Sequence, residues 1–180
     1  ADDANELAAD PDMIRLRSGK LLASGLQDKH SYHQTIKVYD PDNTPRWAAA
    51  GTLIAEPSII QKGPALLQLP SGRVLIFLAA GTQIDVYFSD DDGANWEPYS
   101  YRALDTPVGA ADIRQIKAGY SSGEVVLLVQ FDDGSPNCAQ FASDDLGGRF
   151  TEVEGDWAAQ TAESPEAINI VEVEGAFLVV

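Results

Sequence analysis

Apolar and polar residues along this chain fall into short strand-like runs separated by turn residues. RVLIFLA (73–79) and EVVLLVQF (124–131) are nearly continuous apolar runs, the pattern of a strand covered on both faces. The same unit recurs four times as an apolar strand, a glycine turn and a second apolar strand: MIRLRSGKLLASG, ALLQLPSGRVLIFLA, IRQIKAGYSSGEVVLLVQF and INIVEVEGAFLVV. The turn glycines Gly19, Gly72, Gly123 and Gly175 are spaced by 53, 51 and 52 residues. A period of that size marks a repeat architecture in which neighbouring units bury one another's faces. The runs are rich in Val, Ile, Leu and Phe and bounded by Gly, Pro, Ser and Asp, so β-strands are expected and helices are not.

A second motif recurs in phase with the first. Unit two contains Ser89-Asp90-Asp91-Asp92-Gly93-Ala94-Asn95-Trp96, and unit three Ser143-Asp144-Asp145-Leu146-Gly147-Gly148-Arg149-Phe150. Both fit S-x-D-x-G-x-x-[WF]. Unit one has the worn copy Asp40-Pro41-Asp42-Asn43-Thr44-Pro45-Arg46-Trp47. This is turn chemistry: the central aspartate accepts backbone N–H groups, the glycine supplies a positive φ, and the aromatic folds beneath the turn. Asp42, Trp47, Ser89, Asp91, Gly93, Trp96, Ser143, Asp145, Gly147 and Phe150 are therefore expected to be structural.

These boxes resemble the Asp boxes, or BNR repeats, of the sialidase-like β-propeller superfamily, over nearly the whole chain. The resemblance implies an all-β propeller of four-stranded antiparallel blades, about three and a part of which are present: blade 1 at about 11–55, blade 2 at about 64–104, blade 3 at about 112–155, and the start of a fourth at about 165–180. The strands are expected near 13–17, 20–24, 35–39 and 50–55; 64–69, 73–79, 84–89 and 97–103; and 112–118, 124–131, 138–142 and 150–154. Six blades are implied for a complete ring, so the rest of a longer polypeptide, or another subunit, is expected to close it.

The resemblance also says where a sialidase clamp would stand. Such enzymes hold a substrate carboxylate with three arginines. Pro11 fits the proline of their Arg-Ile-Pro segment, but Ala9 occupies the arginine position. Asp28 stands where a second arginine is expected; unit two offers Pro64 with Lys62. The clamp is absent from these blades, and no catalytic residue is assigned. In this family ligands meet the face opposite the boxes, formed by the loops between second and third strands and between blades. The most heavily functionalised of these, residues 25–34, places Asp28, Lys29, His30, Tyr32 and His33 together, able to hydrogen-bond and stack on a sugar. The competing reading is a solvated polar loop. Lys62, Asp132, Asn137 and Trp157 complete the candidate set.

Composition narrows partners. Twelve Lys and Arg against 28 Asp and Glu give a formal charge of −16, which repels phosphate backbones and anionic membranes. No apolar run approaches the ~20 residues of a bilayer-spanning helix, so neither nucleic acid nor membrane insertion is expected. An acidic surface suits salty or extracellular surroundings and fits an acidic cytosolic protein as well; the setting expected for the recognition module is extracellular, secreted or virion-surface. The single cysteine, Cys138, cannot form an internal disulfide and reads as a bland, partly buried thiol. No cofactor is implied. Calcium at Asp90, Asp91, Asp92 or Asp144 lacks EF-hand spacing, and these acids read as solvated turn groups. Three functions remain: a non-catalytic propeller recognising a glycan or a protein, a sialidase-like exo-glycosidase with catalytic residues beyond Val180, and a structural subunit of an assembly.

Overall fold

The computed structural model describes residues 9–26, 33–40, 42, 47–54, 61–100, 104, 113–131, 138–153, 170–173 and 176–179. They are all-β, with no helix among them. β1 (Ala9–Arg15), β2 (Leu21–Leu26), β3 (His33–Tyr39) and β4 (Trp47–Ile54) form one antiparallel sheet in sequence order. β5 (Gln61–Gln68), β6 (Val74–Ala80), β7 (Gln83–Ser89) and β8 (Glu97–Ser100) form a second. β9 (Ile113–Ser121), β10 (Glu124–Phe131), β11 (Cys138–Ser143) and β12 (Thr151–Glu152) form a third. β13 (Ile170–Val173) pairs with β14 (Ala176–Val179) in a two-stranded sheet whose turn lies outside the described residues. Successive meandering sheets stacked face to face are the blades of a partial β-propeller.

The stacking follows from strand alternation. Along β6, Val74, Ile76 and Leu78 join Leu16, Leu22, Leu66 and Tyr87 in the core between blades 1 and 2. Their neighbours Leu75, Phe77 and Ala79 face the other way, into the core shared with Val125, Leu127, Val129, Phe131 and Phe141 of blade 3. Every side chain from Val74 to Ala79 is thus buried, which is why this strand shows no polar alternation. Phe77 meets Phe150 edge to face, with ring centroids 5.9 Å apart at 76°.

Turn chemistry sets the register at the first hairpin of each blade. In blades 1 and 2 a three-residue loop is closed by Leu16 N–H to Lys20 C=O and Leu69 N–H to Arg73 C=O, both 2.8 Å, with Gly19 and Gly72 at φ 89° and 98°. Blade 3 uses a two-residue turn, Ser122 at φ 54° and Gly123 at 94°, the type I′ signature. β9 consequently runs to Ser121 rather than ending near 118. β1 also begins earlier than the residue pattern indicated, at Ala9, because Pro11 sits in a β-bulge, where a strand tolerates a missing N–H.

Phe77→Ala is expected to cost ~3–5 kcal/mol, since its fully buried ring fills the core between blades 2 and 3. Urea unfolding of the variant checks this; a loss below ~1 kcal/mol would contradict that packing.

Candidate functional site

Two ends of the propeller can be built from its residues. At one, the β3–β4-type hairpins carry the acidic boxes. Ser89 Oγ donates to Asp91 Oδ1 (2.8 Å) and accepts from Gly93 N–H (2.9 Å). Asp91 then accepts Asn95 N–H at 2.8 Å and the Asn95 side-chain amide at 2.6 Å, and Trp96 Nε1–H closes on Gly93 C=O at 2.8 Å. Blade 3 repeats the arrangement: Ser143 Oγ donates to Asp145 Oδ1 (2.6 Å) and accepts from Gly147 N–H (2.9 Å), while Asp145 Oδ1 accepts from Gly148 N–H and Arg149 N–H at 2.9 and 3.0 Å. Asp42 is exposed, and its N–H donates to Asp40 Oδ1 at 3.0 Å. Trp47 opens β4 opposite Tyr39, its side chain outside the described residues.

Each complete hairpin packs on the preceding blade. A Cβ on Gly93 would lie 2.6 Å from Leu22 Cδ1, and one on Gly147 3.3 Å from Leu75 Cδ1. Both glycines have positive φ, so conformation and space require them together. Asp91 is held below the ordinary aspartate pKa chiefly by the Asn95 N–H and amide, Asp145 chiefly by the Ser143 hydroxyl. Their carboxylates are committed to the turn. Arg73 takes Asp90 bidentately, with both contacts at 2.8 Å, and lies 4.2 Å over the Phe88 ring. Among the described residues, no group of three or more His, Cys, Asp or Glu could hold a metal ion.

The opposite end receives the β2–β3-type and interblade loops. Asp28, Lys29, His30, Tyr32, Asp132, Asn137 and Trp157 lie outside the described residues. His33 opens β3 opposite Ile54, and Lys62 lies in β5 opposite Ala79; neither side chain is described. Cys138 is buried opposite Gln130, and burial raises its thiol pKa.

The inner strands supply what the residue pattern did not single out. β1, β5 and β9 each shift register near the start, at Ala9/Asp12, at Lys62/Ala65, and at Ile113–Gln115 opposite Gln130/Phe131. All three bulges lie toward the loop-bearing end, and bulges re-aim side chains. Asp12 Oδ2 accepts Leu66 N–H at 2.7 Å, satisfying a donor on the free edge of β5, while Oδ1 stands 3.9 Å from Lys117 Nζ on β9. One carboxylate thereby ties the inner strands of three blades. Nothing local in ADPDMIR marks Asp12 for this; the signal was its register, since Asp12, Ala65 and Lys117 sit opposite Ser24, Phe77 and Leu128, the fifth residue after each turn glycine.

No family model matches the sequence, and no curated protein matches it. By fold it is similar to an α-L-arabinofuranosidase from Fusarium graminearum solved with an iminosugar inhibitor: TM-score 0.63, 18% identity, covering 86% of this chain and 49% of that one. A family 117 glycoside hydrolase of the marine bacterium Zobellia galactanivorans gives TM-score 0.69 at 13% identity, over 94% of this chain and 61% of that one. The Bombyx mori GH32 β-fructofuranosidase gives 0.66 at 16%, over 94% and 40%. The fold is thus that of the glycoside-hydrolase β-propellers, and the chain spans about half the length of the arabinofuranosidase.

Two predictions follow from the box-bearing end. Because Asp91 and Asp145 have depressed pKa values, their contribution to stability is complete above the unfolded-state value of ~3.9 and is lost as pH falls through the lower folded values. Carboxyl carbon NMR titration is expected to place both midpoints below that value; ordinary midpoints would contradict the hairpin hydrogen bonds. Carried one residue beyond the pairs Leu21–Tyr39, Val74–Ser89 and Val125–Ser143, the register puts Lys20 beside Asp40 and Arg73 beside Asp90, with ion pairs of 3.6 and 2.8 Å, but would put Glu124 beside Asp144. Glu124→Lys is expected to stabilise the protein by ~0.2–1 kcal/mol in low salt; destabilisation on urea titration would count against that register.

Proposed function

We propose that this chain is a carbohydrate-recognising propeller module, sialidase-like in its acidic hairpins, which binds a glycan without cleaving it. The extracellular or virion-surface setting belongs to the same proposal. The observation behind it is the inner-strand arrangement: three bulged strands converge at the loop-bearing end, and the described carboxylate between them, Asp12, is engaged by a backbone N–H and by Lys117. Glycoside hydrolysis uses two carboxyl groups ~5–9.5 Å apart flanking the scissile bond. Asp12 is committed to holding strands together, a structural task. Ala9 and Asp28 in the arginine positions of a sialidase clamp also favour binding over sialoside cleavage. Ring closure by further blades, from the same polypeptide or another subunit, completes the ligand face.

A second reading has its own support. The solved structures named above are glycoside hydrolases, one of them an α-L-arabinofuranosidase in complex with an iminosugar inhibitor. An exo-acting hydrolase built on the same blades would share their fold.

The two separate in one experiment. The purified protein is applied to a glycan array and assayed in parallel on a panel of aryl-glycosides. Saturable binding to at least one glycan with no aryl release is expected. Release of aryl alcohol from any substrate would replace the binding module with the hydrolase, and neither binding nor release would remove both sugar-based readings of this chain.

A further inference from the structure

The box-bearing end carries an inference that does not depend on the carbohydrate reading. In blades 2 and 3 that end is built from described residues, the glycine turns 69–73 and 121–124 and the acidic hairpins 89–97 and 143–151. A β-bulge beside them sets the side chain of Tyr99. Val86 pairs with Ser100 and Tyr87 with Pro98, so Tyr99 is the extra residue of β8, and a bulge re-aims the residue it carries. Tyr99 reaches across to the next blade: its hydroxyl donates to Asp145 C=O of the blade 3 hairpin at 3.1 Å, and its ring meets Phe88 edge to face at 5.7 Å and 78°. Phe88 lies under the Arg73 guanidinium, which Asp90 holds with two contacts of 2.8 Å. The tyrosine is thus fixed at ring and hydroxyl, yet 37% of it stays exposed.

One peptide unit from the carbonyl that holds Tyr99 stands Leu146, 39% exposed at φ 60°. The same position of the blade 2 hairpin is Asp92, at φ 59°. The box therefore imposes a left-handed backbone there whatever the residue, and aspartate adopts it more readily than leucine. Nothing in the turn calls for an apolar side chain. A pre-fixed aromatic ring beside an exposed apolar group is the kind of anchor on which protein interfaces are built. The surroundings are acidic. Glu97 pairs with Phe88 across β7 and β8, Asp144 precedes Asp145, and both are exposed. Among the described residues no ion pair engages either of them, and Asp90 keeps 58% of its side chain exposed beside Arg73. Arg149 is the single basic residue in hairpin 143–151. A formal charge of −16 extends the same sign over the molecule, attracting a cationic partner at long range and repelling a second copy.

We infer that this junction of blades 2 and 3 is a docking surface for a basic polypeptide, which lays an apolar side chain against Tyr99 and Leu146 and sets lysine or arginine toward Glu97, Asp144 and Asp90. Such a partner is held at the box-bearing end and leaves the loop-bearing end open.

Leu146→Asp separates this docking from attraction by charge alone. It removes the apolar anchor, adds a negative charge, and gives hairpin 3 the residue that hairpin 2 already carries at that φ. Short random peptides displayed on phage are selected on the full chain, with counter-selection on the full-chain Leu146→Asp variant. Enrichment of sequences in which an aromatic or branched apolar residue is flanked by Lys or Arg is expected. By fluorescence polarisation the leading peptide should bind Leu146→Asp about tenfold or more weaker, the scale of a lost interface anchor. It should bind Asp144→Asn several-fold weaker, a deficit that shrinks in high salt. The thermal midpoints of both variants are expected to stay near the native one, which keeps loss of binding apart from loss of fold. No enriched sequence, or enrichment without basic residues, would overturn the inference, as would a peptide that binds Leu146→Asp equally well or more tightly. Self-association of the chain in sedimentation velocity that disappears in Leu146→Asp would assign the surface to a second copy and overturn it as well.

Discussion

Two-sided burial of the central strands is the constraint on which this structure depends. β6 and β10 have almost no polar face to offer water: Val74 to Ala79 and Val125 to Phe131 are buried throughout. A single sheet with such strands would expose apolar surface on both sides, at ~25 cal/mol per Å². Stacking blade on blade removes that exposure, and each blade becomes the solvent of the next. The same need makes neighbouring blades interdependent for stability.

The hairpins and inner strands make the stack specific. An apolar face alone would slide; a glycine seated on Leu22 or Leu75, with an aspartate organising the loop above it, fixes how far one blade advances over the previous one. At the inner edges, Arg17 N–H donates to Gln68 Oε1 at 2.8 Å, and Asp12 takes Leu66 N–H farther along the strand. Free strand edges carry unpaired donors that must be satisfied or shielded. Here side chains of the neighbouring blade satisfy them, Gln68 of blade 2 at the turn of blade 1 and Asp12 of blade 1 on β5, the latter toward the loop-bearing end. Stability and recognition thus draw on adjacent stretches of the same inner strands.

Much of this was legible in the residues, for identifiable reasons. RVLIFLA and EVVLLVQF announce two-sided burial because alternation is absent, and the turn glycines stand out because positive φ has few other hosts. Spacing then assembled the blades, and the all-β propeller class follows from residue pattern to coordinates. The inner-strand bulges were not legible. A bulge depends on how two strands count past each other, and nothing in Ile113-Arg114-Gln115 distinguishes it from an ordinary alternating strand. Asp12 was hidden likewise, because its partners Leu66 and Lys117 come from blades 54 and 105 residues away in sequence. The loop residues Asp28, Lys29, His30, Tyr32, Asp132, Asn137 and Trp157 remain a reading of residue chemistry alone, since side chains in long connections are placed by contacts that local pattern does not encode.

The central claim is that each acidic hairpin is seated on the blade before it. A double-mutant cycle across one such contact tests it most directly, using Gly93→Ala and Leu22→Ala with stability read by urea unfolding. The added methyl would meet Leu22 Cδ1 at 2.6 Å, so Gly93→Ala is expected to be strongly destabilising in the native background and distinctly less so once Leu22 is truncated, with a coupling above ~1 kcal/mol. The positive φ strain is common to both backgrounds and cancels. Additivity within ~0.5 kcal/mol would mean that hairpin and preceding blade do not touch, contradicting the stacked arrangement.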